Sequence, residues 1–189
     1  MSILMSTSVT VAPTIPSALR QLYFVRFGFA VVWAGFLAFS ASTLNPFSIS
    51  LLLLYPAFDL AAAVVDHRSS RATKPASALY VNMALSLLTV IGLAVAVFSG
   101  LPAVLVVWGA WAITAGIVQL IVGASRRALG GQWPMILSGG ISVLAGTGFI
   151  LQSGGPKASL TSLAGYAALG GVFFLLSALR LRRAEKGGN

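Results

Sequence analysis

Residues 46–68 read PFSISLLLLYPAFDLAAAVVDHR, an apolar run closed by basic residues and interrupted deep in its length by one carboxylate, Asp59. Roughly 20 mostly apolar residues, rising about 1.5 Å each, cross the hydrocarbon core of a bilayer, and a helix satisfies its own backbone there. The stretch 46–67 is therefore predicted to be a membrane helix. Its layout recurs along the chain: Pro46 leads to Tyr55 and Arg68, Pro102 to Trp111 and Arg126, and Pro156 to Tyr166 and Arg180. With 58% hydrophobic and 8% charged residues the chain lies far from soluble domains, which carry about 25% charged residues.

The remaining spans follow from the same criterion. Residues 1–21 are short and broken by Ser, Thr and Pro, lack the basic start and apolar run of a cleavable signal, and are expected to form a disordered cytoplasmic tail. Three helical hairpins are predicted at 22–67, 76–125 and 133–181, turning at Thr43-Leu44-Asn45-Pro46, Ser99-Gly100-Leu101-Pro102 and Ser153-Gly154-Gly155-Pro156. Residues 182–189 are a basic cytoplasmic tail. The expected fold is an all-α membrane protein of six transmembrane helices.

Twelve Lys and Arg against three acids give a net charge of +9, but the basic residues sit in short clusters between apolar spans. That pattern orients a membrane protein and points away from nucleic acid. Arg20, Arg26, Arg68, Arg71, Lys74, Arg126, Arg127, Arg180, Arg182, Arg183 and Lys186 fall on one side and Lys157 on the other, so both termini are expected in the cytoplasm. Tyr23, Tyr80 and Trp133 open the odd-numbered helices and are expected to form an aromatic belt at that interface. The basic ends would also meet anionic lipid headgroups.

Each hairpin starts on the same side and returns to it, so the copies are parallel repeats, and packing about a pseudo-threefold axis is the expected arrangement. Small residues recur by sevens, as Gly28 with Gly35, Gly109 with Gly116 and Gly123, and Gly139 with Gly146. Seven residues return to nearly one helix face, where a bare backbone lets a neighbour approach closely. These glycines are expected to be packing seams, within the chain or in a homo-oligomer.

The pattern Tyr55-x-x-x-Asp59-Leu60, Trp111-x-x-x-Ala115-Gly116 and Tyr166-x-x-x-Gly170-Gly171, following proline turns, with Arg26 to Gly35 ahead of the first copy, resembles the short-repeat HdeD-like membrane family. The resemblance spans roughly residues 22–183. It implies a bacterial inner-membrane protein of six helices, linked through the founding member to acid resistance, with no established biochemical activity. The positions corresponding to Arg26 and Asp59 in the other copies hold Asn82, Ala115, Ile136 and Gly170.

Asp59 lies about 12 Å from the basic end of its span by helix rise. An ionised carboxylate at that depth costs several kcal/mol unless paired, and Arg26, entering the preceding helix from the same side, is long enough to reach it. The pair reads as a staple between two helices or as a proton-sensitive switch. Asp66 and His67 are expected at the interface, Asp66 as a solvated partner of the basic loop. Asn82, Gln119, Thr89 and Thr114 are candidates for hydrogen bonds across helices, and Pro56 is expected to kink its helix near Asp59.

Enzyme chemistry finds little support. Asp59 and Asp66 share one helix, whereas intramembrane aspartyl proteolysis needs carboxylates converging from two. There is one His and no Cys, and Gly130-Gly131 and Gly154-Gly155 lack the Lys of a phosphate loop. No cofactor is implied. The expected function is a non-enzymatic protein of acid or envelope stress adaptation; the alternative is a small transporter or channel with a polar path near Arg26, Asp59, Asn82 and Gln119.

Overall fold

Pro46 supplies no backbone N–H, so it fits the first position of a helix, where that donor would be orphaned anyway. Asn45 completes the cap: its Oδ1 accepts from the backbone N–H of Phe47 at 2.9 Å and of Ser48 at 3.0 Å, while Ser48 Oγ accepts from the Asn45 N–H at 2.9 Å. The chain thus leaves one helix and enters the next within a few residues. The second turn is tighter still, a single Gly100 at φ 92°, a left-handed conformation that a residue without Cβ adopts freely.

The structure, a computed structural model, describes residues 15–41, 43–69, 76–125, 133–156 and 158–187. These form α1 (Ile15–Ser40), α2 (Pro46–Ser69), α3 (Ala76–Ser99), α4 (Leu101–Ser125), α5 (Trp133–Ser153) and α6 (Thr161–Gly187), with no strand among the described residues. Every helix contains a segment long and apolar enough to cross a membrane. The chain is a multi-pass membrane protein.

Several boundaries differ from expectation. The helix α1 begins before residue 22, because Pro16 is tolerated in a first helical turn, so residues 15–21 are helical and not tail. Residues 1–14 lie outside the described residues. At the other end α6 continues through Arg182 and Arg183 to Gly187, since Arg, Ala, Glu and Lys are good helix formers and no Pro or Gly intervenes before that point. Arg71, Lys74, Arg126, Arg127 and Lys157 also lie outside the described residues.

The helices form a closed ring in which each touches its neighbours in the chain, and α6 returns to α1. The most extensive contacts are α4 with α5 and α1 with α6. Between α4 and α5 the backbones nearly touch. A Cβ built on Gly109 would lie 2.6 Å from the Gly146 carbonyl oxygen, one on Gly116 2.6 Å from that of Gly139, and the reciprocal approaches are 2.5 and 2.7 Å. A Cβ built on Gly123 would lie 2.8 Å from Ile136 Cγ1. On the α1–α6 seam a Cβ built on Gly171 would lie 3.2 Å from that of Ala30 and 3.6 Å from the Phe27 carbonyl oxygen, while Ala30 and Ala34 on α1 and Ala164 and Ala167 on α6 are buried in the hydrophobic core.

Gly28 and Gly35 are not packed in this way. Both face outward, with nothing within 4 Å of an added Cβ. Their spacing does put them on one side of α1, but the inward side carries Ala30, Trp33, Ala34 and Leu37. Gly28 instead borders a shallow apolar hollow with Val32, Phe36 and Phe47. Substitution separates the two groups: Gly116→Val is expected to destabilise the protein in detergent by about 2–3 kcal/mol through overpacking, whereas Gly35→Ala is expected to be neutral or slightly stabilising. Thermal midpoints of the two variants against wild type check this.

Candidate functional site

The ring encloses a cavity of about 270 Å³ bordered by all six helices. Its deep wall is aromatic: Tyr55 from α2, Trp111 from α4 and Tyr166 from α6. Behind them Trp33 and Trp108 are almost fully buried, with ring centroids 5.6 Å apart, and Tyr55 contacts both, at 4.6 Å from Trp33 and 5.6 Å from Trp108. This layer closes the cavity towards the α1–α2 and α3–α4 turns, leaving it to extend towards the end where α1 begins and α6 finishes. Trp33 is fixed by donating its Nε1–H to the Leu51 carbonyl at 2.6 Å, beside the Leu52 carbonyl that Pro56 leaves without its helical donor. The helix α2 nevertheless runs unbroken past Pro56, which is fully buried.

Three polar lining residues, Arg26, Asp59 and Asn82, join Ser86 behind them in a four-residue cluster. Arg26 Nη2 donates to Asp59 Oδ1, forming the expected ion pair between α1 and α2. Asp59 Oδ2 accepts from Asn82 Nδ2 at 3.0 Å and from Ser86 Oγ at 2.7 Å, both on α3. One carboxylate therefore joins three helices. Arg26 is further held over the ring of Phe174 on α6, 4.7 Å from its centroid, so its charge also touches the last helix of the ring.

Of the residues singled out from sequence, Arg26, Asp59 and Asn82 meet in one cluster. Gln119 lines the same cavity but makes no bond to it, and its Oε1 is buried without a partner among the described residues. Thr89 and Thr114 bond back to carbonyls of their own helices, at 2.7 Å to Leu85 and 2.8 Å to Ala110, and not across helices. Asp66 is a correction: it is 8% exposed and lines the cavity, because α2 continues past it to Ser69 and its face is the one that carries Asp59 inward. His67 is likewise helical, within 3.3 Å of the Tyr80 hydroxyl. Of the expected belt, Tyr80 and Trp133 face outward, but Tyr23 turns in and packs against Phe174.

Ser86 was missed. It stands four residues after Asn82, hence on the same face of α3, and that spacing was the available signal. The Ser142 to Tyr166 hydroxyl bond of 2.9 Å, which ties α5 to α6 at the aromatic wall, carries no comparable mark in the sequence.

An all-helical, multi-pass membrane protein with an axial polar cluster is the class that this fold and cavity define. Within it the chain belongs to a family of unknown function (DUF8064), whose profile matches residues 17–120 and so covers Arg26, Asp59, Asn82, Ser86, Trp111 and Gln119. No curated protein and no solved structure matches it.

The cluster makes a definite energetic prediction. Asp59→Leu strands the Arg26 charge in a low-dielectric interior and should cost about 3–5 kcal/mol, while the double variant Arg26→Leu with Asp59→Leu should recover at least half of that loss. Denaturation in mixed micelles, read as a double-mutant cycle, measures both.

Proposed function

We propose that this is a non-enzymatic bacterial inner-membrane protein of the HdeD-like kind, acting in acid or envelope stress adaptation, in which Asp59 is a proton-responsive latch. The observation that carries this reading is the convergence of Arg26, Asn82 and Ser86 on one carboxylate. Adding a proton to Asp59 cancels the attraction to Arg26 and converts an acceptor into a donor, so a single event loosens α1, α2 and α3 together. Around Arg26 and Asp59 the other titratable groups are the phenols of Tyr55 and Tyr166 on the cavity wall, with the Tyr23 phenol and Asp66 towards its mouth.

In this reading the six helices are three parallel-repeat hairpins about a pseudo-threefold axis. The three most extensive seams, α4–α5, α1–α6 and α2–α3, each join one hairpin to the next, and Tyr55, Trp111 and Tyr166 gather round one cavity. Both termini lie in the cytoplasm, where Arg182 and Arg183, exposed at the end of α6, meet anionic headgroups. Outward-facing apolar surface on every helix leaves room for a homo-oligomer.

Acidification tests the latch. The thermal midpoint of wild-type protein in nanodiscs should fall more steeply with decreasing pH than that of Asp59→Asn, which imitates the protonated side chain, and cells carrying the variant should lose acid survival. Parallel pH curves together with unchanged survival refute the latch.

Transport is the second reading, favoured by one observation: Arg26, Asp59, Asn82 and Gln119 border a common cavity. Passage would require the aromatic wall to open. Proton or solute flux in proteoliposomes that Asp59→Asn abolishes would establish it, and the absence of flux in wild type would dismiss it.

A further inference from the structure

The cavity beside Asp59 runs to one end of the bundle and stops short of the other. Its lining reaches Pro134, the second residue of α5, and Asp66, three residues before α2 ends, both at the end where α1 begins and α6 finishes. In the opposite direction it goes no further than the rings of Tyr55, Trp111 and Tyr166. Each of these rings is backed by the residue three positions nearer the turn, Leu52, Trp108 and Leu163, and all three are 0% exposed. Leu37 on α1 and Leu93 on α3, also 0% exposed, and Phe149 on α5, at 4%, complete the layer from the remaining helices. Close packing from all six helices leaves no path for water through it.

The other end is open and suits water. About 270 Å³ is many times the roughly 10–15 Å³ that one water needs, and the walls carry polar groups to hold it. The Arg26 and Asp59 side chains keep 13% and 18% of their surface accessible, so the ion pair meets this vestibule and is not sealed within protein. Among the lining residues, the other groups that carry charge or a titratable proton are the Tyr23 phenol on α1, Tyr55 and the already engaged Asp66 on α2, and Tyr166 on α6, with none on α3, α4 or α5.

We infer that Asp59 exchanges protons only through this vestibule, with the aqueous phase on the face where α1 begins and α6 ends, and is cut off from the opposite face by the aromatic and leucine layer. The inference concerns access and not response. It goes beyond the latch and the transport path, holds whichever of them operates, and gives each a direction: a latch at Asp59 reads the pH of that face, and a solute bound for the cluster starts from it.

Single cysteines test this, because the chain has none of its own. Ala115 borders the cavity from α4 at the repeat position that Asp59 holds in α2, four residues after the ring, and is no part of the cluster. Arg182→Cys, exposed on α6 beyond its apolar segment, and Gly154→Cys, exposed in the α5–α6 turn, mark the two faces, while Leu144→Cys, 75% exposed in the middle of α5, marks lipid. In sealed vesicles of either orientation, the impermeant cation 2-(trimethylammonium)ethyl methanethiosulfonate should modify Ala115→Cys wherever it modifies Arg182→Cys, at least about tenfold more slowly where it modifies only Gly154→Cys, and Leu144→Cys in neither case. The thiolate is the reacting form, so with reagent on the Arg182 face a drop of about one pH unit on that face should slow the Ala115→Cys reaction about tenfold, and the same drop on the other face should leave the rate unchanged.

Modification of Ala115→Cys from the Gly154 face, from both faces alike or from neither overturns the inference, as does a rate that follows the pH of the Gly154 face. Should Ala115→Cys fail to fold, Ser138→Cys, which exchanges oxygen for sulfur at a lining position on α5, takes its place under the same outcomes.

Discussion

Lipid tails are as apolar as leucine, so nothing pushes one of these helices against another in the way that water drives a soluble core together. Helices in such a medium associate where their backbones come close or where a polar bond has no better partner. This chain uses both devices and keeps them apart. The α4–α5 seam is built of glycines whose carbonyls almost touch the facing Cα positions, and on α1–α6 Gly171 lies against Ala30 and Phe27. The α1–α2–α3 side is instead joined by Asp59 and the three donors that reach it.

Because every helix meets two neighbours and α6 returns to α1, the bundle has an axis, and what lies on that axis sets what the protein can do. One half is filled by Trp33, Trp108 and the rings around them. The other half contains the ion pair and a second carboxylate, Asp66, on the helix that carries Asp59. The polar residues that the bilayer would penalise most are thus turned away from lipid and towards a shared space, which is how intramembrane ionisable groups become available for function.

Much of this could be read from the chain. Apolar run length fixed the helices, and Arg26 with Asp59 had to pair because each enters the bilayer from the same side and lacks a cheaper partner. Helix ends were less legible. A Pro or a basic cluster marks where a span can stop, yet α2 continues to Ser69 and α6 through Arg183 to Gly187 because helix propensity outlasts hydrophobicity. The glycine spacing identified faces but not what they face, so Gly109, Gly116, Gly139 and Gly146 proved to be seams while Gly28 and Gly35 look outward. Trp111 is legible only as the aromatic of its repeat, and its burial beside Tyr55 and Trp108 appears once α4 has been placed in the ring. Closure of α6 on α1 joins the segments most distant in sequence, where no local signal operates.

Closure is also the feature on which the cavity, the cluster and the Arg26 contact with Phe174 all rest, and it can be tested without perturbing native thiols because the chain has no Cys. A Cβ at Gly171 would lie 3.2 Å from that of Ala30, slightly inside the separation of about 3.5–4.5 Å that a disulfide requires. Oxidation of Ala30→Cys with Gly171→Cys in native membranes should give an intramolecular cross-link in high yield, seen as a monomer of altered mobility that reverts on reduction. Free thiols in the oxidised sample, or cross-linked dimers alone, would contradict a closed ring.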